Sequence, residues 1–456
     1  SDLALELVNV AKTNKVEITK SFVEADGKTS ATGDVTKVEF KVTKDGATYI
    51  DKLTADADGK FVLNNLKPGT YEVTETATSE GFVLSTKTMT IVVDNDRETI
   101  TIDDVTTTEA TVINVAKTNS VEITKKFVEP DKTTVATGDV TKVVLSVTKD
   151  GDSFIEELKA TNGKFVLSNL KPGTYVVSEK TAAPGFEKTT DTLTFTVNDD
   201  RTIGTDNKSD LALELVNVAK TNKVEIIKEF EEVDGTTSVY GSVDDVEFKV
   251  TYNGDSYIDS LKADKEGKFV LDNLKPGTYE VTETATSEGF VVSDRTLTIE
   301  VDEDRETITI DGDGANEVSF VNTAEKNSVV INKSFVGVDG KTEVDGNVAN
   351  VSFEVTCDNQ EFKTTTLVAN SDGEFKLENL IPGNYTVTEI STDNGFVLTT
   401  DTVTFKVNDD RTITANNLKD YETTVINKQI DNEVTITKLF SGAEGNLDEK
   451  INKERY

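Results

Sequence analysis

Three residue types recur through this chain at nearly constant spacing, and together they form a set able to exchange one amide for another. Lys20, Lys125, Lys228 and Lys333 are followed after 55, 54, 55 and 56 residues by Glu75, Glu179, Glu283 and Glu389. Those glutamates are followed after 39, 38, 39 and 38 residues by Asn114, Asn217, Asn322 and Asn427. Burial lowers the pKa of a lysine and frees its amine as a nucleophile, and it raises that of a carboxyl and keeps the acid protonated. A protonated acid can then hydrogen-bond the asparagine carbonyl and shuttle protons as ammonia leaves. The competing reading is a buried Lys-Glu ion pair with the asparagine as an incidental neighbour. Recurrence of all three residues in four copies favours the chemistry.

For such a set to work, all three side chains must face a common interior, and strand parity says that they do. The lysine stands in V-x-I-x-K-x-F: Val16, Ile18, Lys20, Phe22, with the same pattern around Lys125, Lys228 and Lys333. Alternate residues of a strand share a face, so the ammonium projects with Val, Ile and Phe into the core. An unpaired ammonium there is costly, so it must pair, lose its proton or react. The acid ends a second alternating row, Tyr71, Val73, Glu75, repeated at Tyr175, Tyr279 and Tyr385. The asparagine ends a third, as in Val318, Phe320, Asn322; before Asn217 the residues of its parity are Leu213 and Leu215. Lys126, beside Lys125, falls on the solvent face. Asn9 and Lys438 sit at matching positions and are expected to cross-link with repeats outside this sequence.

The repeat is about 104 residues, a normal size for a small all-β domain. Lysines, including Lys438, succeed one another at 105, 103, 105 and 105 residues, which divides the 456 residues into four complete repeats, 15–119, 120–222, 223–327 and 328–432. Residues 1–14 match the last strand of a preceding repeat and 433–456 the start of a following one, so the sequence is expected to be an excerpt from a longer array. Thr, Val, Ile, Phe and Tyr alternate between turns such as Lys44-Asp45-Gly46 and Asn253-Gly254, and no segment holds a helical period. Links such as Val115-Ala116-Lys117-Thr118-Asn119 are short and lack Gly/Ser or Pro runs, which predicts stiffly coupled neighbours in a rod.

Composition narrows the function. Lys+Arg 48 against Asp+Glu 84 gives a net charge of −36, which disfavours nucleic acid and anionic lipid as partners and favours solubility. No apolar run is long enough to span a bilayer, and neither a signal peptide nor a sorting signal is visible, so export is expected to be encoded elsewhere. One cysteine, Cys357, excludes an internal disulfide framework, and the absence of His and Trp makes hydrolase triads and zinc sites poor candidates. No cofactor is expected.

Gly59-Lys60-Phe61, Leu66-Lys67-Pro68-Gly69-Thr70-Tyr71 and the following Glu75 resemble the G-x-F…L-x-P-G-x-Y-x-[LV]-x-E signature of CnaB-type domains, the B-repeat and pilin modules of Gram-positive surface adhesins. Ala183-Pro184-Gly185-Phe186 is similar to the segment that follows the acid in that family; the other three repeats lack its A-P, which puts only that loop's shape in question. The resemblance covers all four repeats. It implies a seven-stranded prealbumin-like or reverse immunoglobulin sandwich, with a first-strand lysine joined to a last-strand asparagine by an isopeptide bond and the acid as catalyst. Carried over, the bonds are Lys20 to Asn114 with Glu75, Lys125 to Asn217 with Glu179, Lys228 to Asn322 with Glu283, and Lys333 to Asn427 with Glu389. A pilin-type YPKN motif is absent, so lysine-linked pilus polymerisation has no support.

The expected function is an extracellular, cell-surface or cell-wall-anchored stalk of tandem cross-linked sandwiches that presents an adhesive module. It is no enzyme beyond its single-turnover self-cross-linking. Two alternative functions stand beside it. The repeats themselves bind a host or matrix protein through loops such as Glu24-Ala25-Asp26-Gly27, or the strand at 3–9 docks into another molecule to build a filament. The acidic turns Asp94-Asn95-Asp96, Asn198-Asp199-Asp200, Asp302-Glu303-Asp304 and Asn408-Asp409-Asp410 lack EF-hand spacing and read as hairpin turns, with no metal expected. Cys357 reads as a free thiol at a strand end.

Overall fold

The computed structural model describes residues 9–205, 208–415 and 418–437. By its internal contacts the chain forms two compact units, Ser1–Thr221 with Glu303–Glu306, and Asn222–Asp302 with Thr307–Tyr456. Among the described residues four separate hydrophobic cores lie within 16–116, 121–219, 224–324 and 329–425.

In the first repeat the strands are β1 (Lys15–Val23), β2 (Glu39–Lys44), β3 (Ala47–Leu53), β4 (Lys60–Asn64), β5 (Gly69–Ala77), β6 (Thr88–Val93), β7 (Ile100–Ile102), β8 (Val105–Thr106) and β9 (Glu109–Val115). They form two sheets, ordered β4-β1-β9 and β3-β2-β5-β6-β7-β8. The expected alternation is present: Val16, Ile18 and Phe22 of β1 pack with Tyr71 and Val73 of β5 in one apolar core. Each such side chain contributes about 1.5–3 kcal/mol by leaving water. Tyr71 is wholly buried and its hydroxyl donates to the Lys67 carbonyl at 2.9 Å, which satisfies its one polar atom. The β2–β3 hairpin turns on Asp45 (φ 51°) and Gly46 (φ 83°), the pair of left-handed residues that a two-residue hairpin requires.

β1 lies between its two neighbours, antiparallel to β4 and parallel to β9. First and last strands are therefore adjacent, although Lys20 and Asn114 lie 94 residues apart in the chain. The second repeat has seven strands among its described residues, as expected. Among their described residues the first and third carry nine and the fourth eight, because short strands such as β7 and β8 extend the larger sheet beyond β6 or its counterpart. The seven-strand expectation is corrected there: Ile100 and Ile102 alternate inward and are buried, so even three residues complete another ladder.

Candidate cross-linking site

The site begins with register. In the β1–β9 pair, Lys20 lies opposite Val112 and Phe22 opposite Asn114. On parallel strands residues of one parity share a face, so Lys20 and Asn114 are diagonal neighbours within reach of a long side chain. Glu75 arrives from the other sheet, on β5. The Lys20 and Glu75 side chains have no exposed surface, and Asn114 is 1% exposed.

One carboxylate serves both nitrogens. Lys20 Nζ stands 2.8 Å from Glu75 Oε1, and Asn114 Nδ2 donates to Glu75 Oε2 at 2.8 Å. The Lys20 contact is close but not aligned, so neither Nζ nor Oε1 has a hydrogen bond of good geometry. Nδ2 donates its second hydrogen to the Val83 carbonyl at 2.8 Å, and the Ser85 N–H donates to Oε2 at 2.6 Å. Two acceptors at Nδ2 settle which way the Asn114 amide points.

The arrangement recurs. Lys125 Nζ is 3.0 Å from Glu179 Oε1, and Asn217 Nδ2 donates to Oε2 at 2.7 Å. Lys228 Nζ is 3.7 Å from Glu283 Oε1, with Asn322 Nδ2 2.6 Å from Oε2. Lys333 Nζ is 3.5 Å from Glu389 Oε1, with Asn427 Nδ2 2.7 Å from Oε2. In the last two repeats the lysine also donates to a last-strand carbonyl, Phe320 O at 2.9 Å and Val425 O at 3.0 Å. All twelve expected residues thus gather into four sites of three. Lys126 points outward as expected. Asn9 is exposed and lies in no strand, while the rest of the expected strand at 3–9, and Lys438, lie outside the described residues.

Desolvation holds each of the four lysines below the usual range, and the facing carboxylate opposes it. Lys228 is brought down to about 8. An amine in that condition is available as a nucleophile near neutral pH.

Aromatic rings close the site. Phe22 and Phe82 meet at 4.7 Å between centroids, with Phe127–Phe186, Phe230–Phe290 and Phe335–Phe396 at 4.7, 4.7 and 4.6 Å. Phe22 lies so close to Gly33 that a Cβ there would stand 2.5 Å from the ring. Phe82 belongs to the loop after the acid, and that loop also supplies the Val83 carbonyl and the Ser85 N–H. The sequence signal for this was the recurrent Gly-Phe six and seven residues after each glutamate, whose role parity alone did not disclose.

Two further sets of residues escaped the sequence reading. Asn119, in the link between repeats, is 4% exposed; its amide donates to the Leu170 and Arg201 carbonyls at 2.9 and 3.0 Å and its Oδ1 accepts from the Leu170 N–H at 2.6 Å. Asn14, Asn222 and Asn327 anchor the starts of the other repeats onto Leu66, Leu274 and Leu380. The second set is the arginine of the acidic turn. Within the first compact unit, Arg201 of the second repeat, 6% exposed, reaches Glu24 of the first at 3.0 Å. Within the second unit, Arg411 of the fourth repeat pairs with Glu232 of the third. Beside the first contact, a Cβ on Gly81 would stand 2.4 Å from the Asp199 carbonyl, so the two repeats meet backbone to backbone there.

Glu24 faces a neighbouring repeat, and Asp26 accepts from the Lys28 and Thr29 N–H groups and the Thr29 hydroxyl. In the acidic turns Asp96, Asp200 and Asp410 each cap a threonine two or three residues on, as hairpin and Asx-type turns do. Cys357 ends its strand as a free thiol, with the Asn359 N–H 3.4 Å from Sγ.

The family model described as SpaA, prealbumin-like fold domain, matches residues 23–108, 112–210, 229–316 and 339–422. No curated protein matches the chain. Among solved structures, the TIE protein of Bacillus anthracis is similar at 17% identity, covering 93% of this chain and 76% of that one with a TM-score of 0.47. BcpA, the major pilin subunit of Bacillus cereus, is 16% identical over 69% of this chain and 100% of its own, TM-score 0.27. Two B repeat units of the collagen binding protein of Staphylococcus aureus are 16% identical over 92% of this chain and 100% of their own, TM-score 0.22.

Proposed function

Given that this chain belongs to the SpaA prealbumin-like fold domain family, we propose that it is a structural surface protein whose four repeats each close an intramolecular isopeptide bond. The bonds join Lys20 to Asn114, Lys125 to Asn217, Lys228 to Asn322 and Lys333 to Asn427. The observation that carries this reading is the glutamate shared between amine and amide, Oε1 toward Nζ and Oε2 toward Nδ2.

From the neutral amine, Nζ attacks Cγ of the asparagine. The proton that Nζ loses passes to Oε1, the carboxyl returns a proton to Nδ2, and the Cγ–Nδ2 bond breaks as ammonia leaves. The glutamate is regenerated. Holding two charges in a core costs several kcal/mol per ion unless their pairing is good. The product amide removes the lysine's charge from that interior permanently.

Each bond closes a loop of 92 to 94 residues, for which chain entropy gives about 4–5 kcal/mol. It also joins first strand to last, and each asparagine precedes the next lysine by 11 residues. Tension along the array then follows bond, short link and next bond, leaving each sandwich out of the path. This supports a stalk that carries an adhesive module at a cell surface. Intact mass tests the chemistry: the folded chain is expected to fall short of its sequence mass by four molecules of ammonia, and a mass equal to the sequence would reject the bonds.

A further inference from the structure

The four sites differ at the asparagine carbonyl. Thr78 Oγ1 donates to Asn114 Oδ1 at 2.5 Å, Thr286 Oγ1 to Asn322 Oδ1 at 2.8 Å, and Thr392 Oγ1 to Asn427 Oδ1 at 2.6 Å. The hydroxyl must be the donor, because an amide oxygen only accepts. In each case the threonine lies three residues after the glutamate. In the second repeat that position is Ala182, and Asn217 Oδ1 is buried with no hydrogen-bond partner.

Oδ1 is where charge develops. As Nζ bonds to Cγ, the carbonyl π electrons move onto Oδ1, and they return when the Cγ–Nδ2 bond breaks and ammonia departs. A donor already aimed at that oxygen stabilises the tetrahedral intermediate without reorganising, the role of an oxyanion hole. It also withdraws electron density from Cγ before attack. The acid, expected on this carbonyl, instead turns its Oε2 to Nδ2 and its Oε1 to the lysine.

We propose that Thr78, Thr286 and Thr392 are catalytic residues of the cross-linking reaction, acting as oxyanion donors, and that the second repeat, lacking one, is the slow-closing member of the array. This rests on the isopeptide reading above and deepens it. The consequence is an order of maturation. Repeats one, three and four lock soon after folding, while the second stays open longest.

The test follows bond formation in newly made chain, since on this reading purified protein is already closed. The chain is pulse-labelled in cell-free translation, chased, and digested, and each Lys–Asn linked peptide is quantified against time by mass spectrometry. In the native chain the Lys125–Asn217 peptide should appear last. Thr286→Val, which keeps the shape and removes the hydroxyl, should slow closure of the third repeat alone by about 10- to 100-fold, at or below the low end of losses seen on deleting one oxyanion donor. Thr286→Ser should restore a rate within a few-fold of native, which separates a hydroxyl effect from a packing effect. Ala182→Thr should accelerate the second repeat. Closure of the third repeat at one rate with Thr, Val or Ser at position 286 overturns this proposal and leaves the bonds intact. Absence of linked peptide from every native repeat overturns the isopeptide reading and this proposal together.

Discussion

Arg411 of the fourth repeat grips Glu232 of the third with both terminal nitrogens, NH1 to Oε2 at 3.0 Å and NH2 to Oε1 at 2.8 Å, with 5% and 13% of the two side chains exposed. A bidentate, nearly dry pair fixes orientation as well as distance. Arg411 is set in a left-handed turn position, φ 62°, and also donates to the Leu380 carbonyl at 3.3 Å. The link between the two repeats is therefore held from both sides, by Asn327 and by this pair.

Breaking that pair should loosen the joint. Arg411→Ala leaves the Glu232 carboxylate without its guanidinium, a loss of about 3–5 kcal/mol for a buried partner. Limited proteolysis of residues 324–328 in the full chain should accelerate by at least about tenfold, since each 1.4 kcal/mol is a factor of ten in an opening equilibrium governed by local stability. Unchanged cleavage would show that Arg411 is incidental to the joint.

Glu179→Gln tests the proton carrier. Glutamine can still accept from the Thr189 N–H, as Glu179 does at 2.8 Å, but it cannot take a proton from Lys125. The second repeat should fold and remain uncross-linked. Peptide mapping that found Lys125 joined to Asn217 in this variant would remove the acid from the mechanism.

Asn322→Ala leaves the Lys228 amine free, and stability of the third repeat should then depend on pH in a defined direction. The amine binds its proton up to 10.5 when unfolded and only up to about 8 when folded. Between these values the unfolded state holds more protons, so stability rises with pH from about 8 to 10.5 and is flat below. Melting of Asn322→Ala minus that of Lys228→Met/Asn322→Ala isolates the effect. A difference that fell with rising pH would contradict the buried amine.

Pulling on single molecules tests the mechanical role. The native array should show no unfolding steps of the 92 to 94 residues that lie between each lysine and its asparagine, because covalent closure removes them from the extensible path. Lys228→Ala should restore one such step, from the third repeat alone. Four steps in the native chain would place force through the sandwiches and end the stalk reading.

The all-β character of the repeats and the twelve residues of the sites were legible in the sequence because strand parity has period two, while the sandwich itself was implied by the resemblance to CnaB-type domains. Lys20 shares parity with Val16 and Ile18, and Glu75 with Tyr71 and Val73, so a buried face could be assigned without knowing what it faces. Recurrence then turned single coincidences into a pattern. What parity cannot supply is which strand lies beside which. That Phe22 stands opposite Asn114, and that Glu75 Oε2 meets Nδ2 while Oε1 meets Nζ, follows from long-range pairing across the sandwich. Residues off the alternating rows were likewise silent. Thr286, Asn119 and Arg201 lie in loops and links where no period constrains direction, and their partners come from 36, 51 and 177 residues away. Local pattern tells a strand which side to bury; only closure of the sandwich, and the meeting of one repeat with the next, brings these loop residues to the groups they serve.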